Sequence, residues 1–466
     1  MFDRDFDGFM SDLGRIIQKY ETAKAMGDFI YLEVSEYEEL FDHYFSTGDF
    51  EQAISLIQSG CKAHPYAGSL SLKHAEVLLE LGQLEQAEEL LDVAESLQPN
   101  DLQIVLNRAD LLAMRDKHQQ AIDLVNDRLR IASKEEAIEL YIELADIYED
   151  VEHYVEVIEA LEALLKLHPK HVDALNRLWF AVELTGMYAK SIEIHQGLLD
   201  KDPYHESAWF NIAQAHIGME NLKEAISALE FVLAINEGHD AASILCADLY
   251  VELQDYEKAL ALYHSVLELN LPNRDVFLRL ANCYTMVNDV EEAKVYYRRC
   301  ISLDPRNDEA FYGLGCCLLA EEKHEDCLSP LEKAVRLNRS NLDYSITLME
   351  AYKELSDWEL AISLLKDIVK DNSDNQRLMM ELAMLYVEAG EVQDAIDWLE
   401  DCIELFPHEA DFHFAHAVYC YTLGRRNQAI VSAEQGMLCD EHRASHWILS
   451  EPHMADDPLF ANLLRT

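Results

Sequence analysis

The chain has 466 residues, with 88 Asp and Glu against 37 Lys and Arg, a formal net charge of −51. A field of that sign repels nucleic-acid phosphates and anionic lipid surfaces unless a basic cluster overrides it, and no Lys/Arg run exceeds a pair such as Arg425-Arg426. Half of the residues are hydrophobic and 9% aromatic, with only 10 Pro and 16 Gly, which describes a folded chain tolerant of helices rather than a disordered one.

In chain order, the opening Met1-Phe2-Asp3-Arg4-Asp5-Phe6-Asp7 lacks the basic start and apolar run of a secretory signal. No stretch of about 18 uncharged apolar residues occurs, so membrane insertion is not expected. The expectation is a cytoplasmic protein whose 10 cysteines are reduced thiols. Residues 1–33 read as a tail and capping helix, since Leu13, Ile16, Ile17, Tyr20 and Ala23 keep spacings of three and four.

From Val34 a phrase recurs, seen in Gly48-Asp49-Phe50-Glu51-Gln52-Ala53, Gly82-Gln83-Leu84-Glu85-Gln86-Ala87 and Gly390-Glu391-Val392-Gln393-Asp394-Ala395. Its last, small residue falls at Ala53, Ala87, Ala121, Val157, Ser191, Ala225, Ala259, Ala293, Cys327, Ala361, Ala395 and Ala429, in steps of 34 residues with one step of 36. Placing it at position 20 of each unit gives twelve units over 34–443, starting near 34, 68, 102, 138, 172, 206, 240, 274, 308, 342, 376 and 410. Position 8 is Ala or Gly in nine units, from Ala75 through Gly315 to Ala417, as a close helix crossing requires. Position 11 is often Tyr, and position 32 is Pro in half of the units, where it stops a second helix. Apolar spacing within each unit gives two antiparallel helices, joined by a polar turn such as Gln254-Asp255-Tyr256 or by a Gly such as Gly186 or Gly424. Residues 444–466 read as a C-terminal cap ending in a short helix from Pro458.

These residues resemble the tetratricopeptide repeat throughout 34–443, and the whole pattern, with its phrase Leu199-Asp200-Lys201-Asp202-Pro203-Tyr204, also looks like the long acidic repeat proteins of Bacteroidetes bacteria. The resemblance implies an all-α, right-handed α-α superhelix whose first helices line a concave wall that binds segments of other proteins. Neighbouring units must stack, because one helix pair cannot bury its own apolar face. The 36-residue step and Trp179, standing at position 8 in place of Ala or Gly, point to a bend within residues 130–185.

Projecting the family's inner-wall positions onto this chain puts acids at Asp42, Glu76, Asp110, Asp146, Asp248 and Glu350. Apolar groups accompany them at Phe180, Phe210, Ile244, Leu278, Tyr312, Met380, Met384, Phe414 and Tyr421. The wall is expected to be acidic toward its N-terminal half and apolar toward its C-terminal half, suited to basic or apolar partner segments. The competing reading is that the aromatics pack against neighbouring repeats. Family members that grip a terminal carboxylate use Lys, Asn and Arg on this wall; the matching places here hold Glu38, Leu72, Leu106 and Ile142, so no such clamp is expected.

Catalytic signatures are missing: there is no phosphate loop ending in Lys-Ser or Lys-Thr, no His-Glu-x-x-His and no Gly-x-Ser-x-Gly. Cys316-Cys317, Cys283, Cys300 and Cys327 show no Cys-x-x-Cys spacing, and Cys300, Cys327 and Cys402 stand where small core residues belong. His413 and His416 occupy core positions and read as buried, hydrogen-bonded histidines rather than metal ligands. The expected protein is a noncatalytic scaffold or adaptor for other proteins or peptides, without metal or cofactor, without nucleic acid as partner and with self-association open. The alternative is a regulatory or substrate-recruiting subunit of a separate enzyme.

Overall fold

A computed structural model describes residues 3–26, 30–269 and 273–463, which are helical but for short connections, with no strand among the described residues. The chain divides into two compact bodies, residues 1–242 and 243–466. The first body runs α1 (Asp3–Met26), α2 (Val34–Ser46), α3 (Phe50–Ala63), α4 (Gly68–Glu80), α5 (Leu84–Leu97), α6 (Leu102–Met114), α7 (His118–Leu129), α8 (Lys134–Asp150), α9 (Tyr154–Leu167), α10 (Val172–Thr185), α11 (Tyr188–Leu199), α12 (Glu206–Gly218) and α13 (Leu222–Ile235). The boundary falls within α14 (Asp240–Glu252). The second body continues with α15 (Tyr256–Leu269), α16 (Arg274–Met286), α17 (Val290–Leu303), α18 (Asp308–Ala320), α19 (His324–Leu337), α20 (Leu342–Glu354), α21 (Trp358–Asp371), α22 (Gln376–Glu388), α23 (Val392–Leu405), α24 (Ala410–Thr422) and α25 (Arg426–Cys439). Three short helices close it: α26 (Ala444–Ser450), α27 (Pro452–Ala455) and α28 (Pro458–Leu463). This is the all-α helix-pair solenoid that the periodicity calls for.

Each pair forms for the same reasons. The small residue at position 20 has 0% exposure in all twelve pairs, including Val157, Ser191 and Cys327, so the two helices touch there. Position 8 is as tight: alanines such as Ala75, Ala145 and Ala281 are fully buried there, and at Gly315 even a Cβ would lie 2.5 Å from the Leu331 side chain. The turn between the helices is fixed by the backbone. Position 15 has positive φ in every pair, at Gly48, Gly82, Gly186, Gly390 and Gly424 but also at Asp116, Glu152, Glu220, Gln254, Asn288, Glu322 and Ser356. The next amide then reaches back to the carbonyl at position 11, as in Asp49 N to Tyr44 O at 2.9 Å and Lys323 N to Leu318 O at 3.0 Å, satisfying carbonyls that the helix end leaves open. First helices start on side-chain caps: Asn307 Oδ1 accepts from Ala310 N at 2.7 Å, and His171 and His205 do the same through Nδ1.

Two places depart from the pattern. The extra residues of the 36-residue step lengthen one first helix: α8 has 17 residues where most others have 13, and it begins at Lys134 behind a Ser133/Glu136 capping box. Trp179 on α10 fits because its ring lies beside Tyr188, 6.4 Å between centroids, and Tyr188 occupies the space that a Cβ on Gly218 would need, at 2.4 Å. At the N-terminal end, Tyr20 of α1 is buried with Ile16 and Ile17 against Tyr37, Leu40, Phe41 and Tyr44. At the other end, Phe460 of α28 is fully buried, edge-on to Tyr421 at 5.4 Å.

The seven non-Gly residues at positive φ carry backbone strain that glycine relieves. Glu322, exposed and at φ 59°, is the cleanest site. Glu322→Gly is expected to raise stability by about 0.5–1 kcal/mol, and Gly82→Ala to lower it by about 1 kcal/mol, read as opposite shifts of the urea midpoint.

Candidate functional site

First helices of consecutive pairs lie against one another, α2 with α4, α4 with α6, α6 with α8 and α10 with α12 in the first body, and α16 with α18 and α18 with α20 in the second. Among second helices only α9 and α11 approach as closely. The first helices therefore crowd the inner side of each array and form the candidate wall.

Three of its six expected acids are neutralised from within. Lys73 pairs with Asp42, Arg177 Nη2 lies 2.6 Å from Asp146 Oδ1 while its Nε donates to Glu149 Oε1 at 3.0 Å, and Arg279 Nε donates to Asp248 Oδ1 at 2.9 Å. Each cation stands 31 residues after its acid, on the first helix of the next pair. Asp248 also accepts from the Tyr263 hydroxyl at 2.5 Å. Asp146 and Asp248 are thus rungs between repeats, not open charges, which corrects the expectation of a freely acidic wall; the pairing becomes visible only when the repeats are stacked.

At Asp110 the rung fails. The residue facing it from α8, which packs on α6, is Glu143, only 9% exposed, so a second carboxyl group stands where three other rungs have a cation. Burial, followed by the neighbouring carboxylates, pushes both carboxyl groups upward, and Glu76 also moves upward through burial. The Asp110 side chain still meets water, because it borders an open 290 Å³ recess lined by Leu79, Glu80, Ala113, Met114 and Asp150. Sequence reading missed Glu143. Its signal was the acid at position 6, where Lys73, Arg177 and Arg279 stand in other repeats.

Farther along the first body, Phe210 and Trp179 share a 320 Å³ recess with Leu175, Asn176, Asn211 and His239. Phe210 stacks on His239 at 5.1 Å, and Phe180, 54% exposed, meets Tyr154 edge-on at 6.3 Å. Behind this recess His195 is fully buried, donating from Nδ1 to Ser191 O at 2.7 Å and accepting at Nε2 from Asn211 at 3.0 Å. Burial lowers its pKa from the usual 6.5 to about 4.

In the second body Ile244 and Leu278 are half-buried on the wall. Tyr312 stacks on Tyr344 at 4.4 Å and shares a hydrogen bond with Thr347 at 3.2 Å, so it ties α18 to α20. Met380 and Met384 come together with Phe412, Arg377 and Arg443 around a 410 Å³ recess; Arg443, from the C-terminal cap, is held by Glu409 and Asp411. Phe414 and Tyr421 leave the wall. Phe414 is fully buried in the gap at Gly436, its ring 2.9 Å from where a Cβ would stand. Tyr421 donates to His453 O at 3.0 Å and anchors the cap. His413 and His416 are buried and hydrogen-bonded, to Pro407 O at 2.9 Å and to Ser432 Oγ at 2.7 Å. Among the described residues no three His, Cys, Asp or Glu side chains group as metal ligands, and no helix is long and apolar enough to cross a membrane.

Two family models, both described as tetratricopeptide repeat, match the chain, one at residues 44–105, 217–273 and 352–419 and the other at 275–307. Human protein O-mannosyl-transferase TMTC1 is 26% identical over 171 residues, 34% of this chain and 19% of that protein. The chain thus spans about a fifth of the length of that curated relative. Among solved structures, YrrB, titled a TPR protein with an unusual peptide-binding site, is 18% identical with a TM-score of 0.35, covering 40% of this chain and 96% of its own. A tetratricopeptide repeat protein from Parabacteroides merdae is 18% identical with a TM-score of 0.37, covering 54% and 99%.

His195 gives the wall a pH signature. Its folded pKa lies below the unfolded value, so its stabilisation is complete above about pH 6.5 and is lost as pH falls toward 4. Against His195→Gln, the wild type should lose up to about 3 kcal/mol across that window in urea denaturation; parallel pH profiles would contradict the assignment.

Proposed function

The chain is a tetratricopeptide-repeat protein, a class that generally mediates protein–protein interactions, and on that premise we propose that it is a noncatalytic scaffold or adaptor gripping protein segments along its inner walls. The observation that carries this reading is a set of anchor groups on the first helices: Phe180, 54% exposed, and the half-buried Phe210 in the first body, and in the second Met384, 44% exposed, beside Glu381, Glu409 and Asp411. Aromatic and methionine side chains at recesses supply burial for a partner's apolar residues. The carboxylates of Glu80, Asp110 and Asp150, which no cation rung neutralises, favour a partner carrying Lys or Arg. Nucleic acid is not proposed as a partner, given the net charge of −51. The sequence carries none of the phosphate-loop, His-Glu-x-x-His or Gly-x-Ser-x-Gly signatures, which motivates the noncatalytic reading, and a cytoplasmic location belongs to the same reading.

Fluorescence polarisation with two labelled peptides tests it, one rich in Leu and Arg and the other with Glu in place of Arg. The basic peptide should bind at least about tenfold more tightly and weaken as salt rises. Phe210→Ala and Asp150→Asn should each lower its affinity about tenfold without changing the helical signal. Equal binding of the two peptides would remove the charge preference. Affinity unchanged by both substitutions would remove the wall as the binding surface.

A further inference from the structure

The broken rung in the first body has a consequence that needs no partner. Along this wall the position facing Asp42, Asp146 and Asp248 from the next repeat holds Lys73, Arg177 and Arg279, each neutralising its carboxylate, while Glu76 faces the uncharged Asn107. At Glu143 it holds a second carboxyl, and this one is buried. Two adjacent carboxylates, the inner one buried, do not both ionise: the repulsion and the desolvation of the inner one leave a proton between them. The surroundings offer no relief. α4 contributes Glu76 and Glu80, and α8 itself contributes Asp146 and Asp150. On the other helices packed on α8, Arg128 of α7 is held by Glu136 and Lys166 of α9 by Glu162. Arg177 on α10 is held by Asp146 and Glu149, with Asp173 at 3.7 Å.

We propose that Asp110 and Glu143 share one proton in the place where three other repeats carry a lysine or arginine, and that this proton holds α6 against α8, making their contact an alkali-sensitive joint. Glu143 donates from its carboxyl O–H and the Asp110 carboxylate accepts. The joint lies where the extra residues of the array are housed, since α8 is the lengthened helix. Because the folded state binds this proton more tightly than the unfolded chain, the contribution of the pair is fully present below the ordinary Glu range. It is lost as pH rises through the raised value.

The full chain, Glu143→Gln and Glu143→Lys are compared in urea between about pH 5.5 and about pH 9. The unfolding constant of the wild type relative to Glu143→Gln should rise by up to about tenfold per pH unit within this window, the slope of one linked proton. Amide hydrogen exchange, corrected for its intrinsic pH dependence, should quicken in α6 and α8 of the wild type and not in α2 or α3. Glu143→Lys rebuilds the rung, so it should be more stable than the wild type and lack the slope, which keeps the test decisive even if the Gln variant folds poorly. The infrared carbonyl band of a protonated carboxyl should be present at neutral pH in the wild type and absent from Glu143→Gln. A constant ratio of unfolding constants across the window, or no difference in that band, would overturn the proposal.

Discussion

Everything in this fold depends on the contact between the two helices of a pair, where the residue at position 20 has no exposed surface in any of the twelve repeats. A small side chain there lets the helices approach, and the approach sets the tilt that presents their outer apolar faces to the next pair. One pair cannot bury those faces alone, so stability belongs to the interfaces and the core runs along the array. In the first body this is visible as a buried cluster extending from Leu106 to Ala208 across several pairs. The turn serves the same contact. Its left-handed residue reverses the chain in three positions, and the strain accepted at Asp116, Glu152 and Glu322 shows that this geometry outweighs the local preference of the side chain.

The wall follows from stacking. Position 9 of one repeat faces position 6 of the next, and with a net charge of −51 most acids on such a surface repel one another. Lys73, Arg177 and Arg279 cancel that repulsion where it would act between helices. Three of the scarce cations are thus spent on rungs and others, such as Arg108 with Asp92 and Glu95, pair with solvent-facing acids, while the excess of acids gives the surface its field. The recesses that remain, one carboxylate-rich, one aromatic and one methionine-lined, are shallow and open. Surfaces of that kind recognise extended contacts rather than enclosing a small molecule.

The helix pairs were legible in the sequence because their cause is periodic: position 20 and position 8 need small residues, and a run of apolar residues every three or four marks each buried face. Five turns were legible through glycine and one through the polar run Gln254-Asp255-Tyr256, whereas the left-handed backbone of the seven built on Asp, Glu, Gln, Asn or Ser was not, because backbone hydrogen bonds rather than side chains enforce it. On the wall, position alone named Phe210, Met380 and Met384, which border open recesses, and Phe180, which is exposed. It misjudged Asp146 and Asp248, whose cations belong to the following repeat. It also misjudged Phe414, which turns inward because Gly436 leaves room, and Tyr421, which the C-terminal cap claims. Single-repeat reasoning fails wherever a neighbour decides the fate of a side chain.

Glu143 shows the same rule from the other side. As one acid among 88 it has nothing to mark it, and only its register against Asp110 makes it unusual. The helix that carries it is also the one that absorbs the extra residues, so α8 starts a turn early while its later positions keep the common register down to Asp146 and Arg177. An insertion placed before position 6 could have shifted Glu143 off the wall; instead it lengthened the exposed start of the helix and left the carboxyl facing its counterpart. The repeat thus conserves the contact geometry while exchanging its chemistry, replacing a fixed positive charge by a proton whose presence depends on the solution.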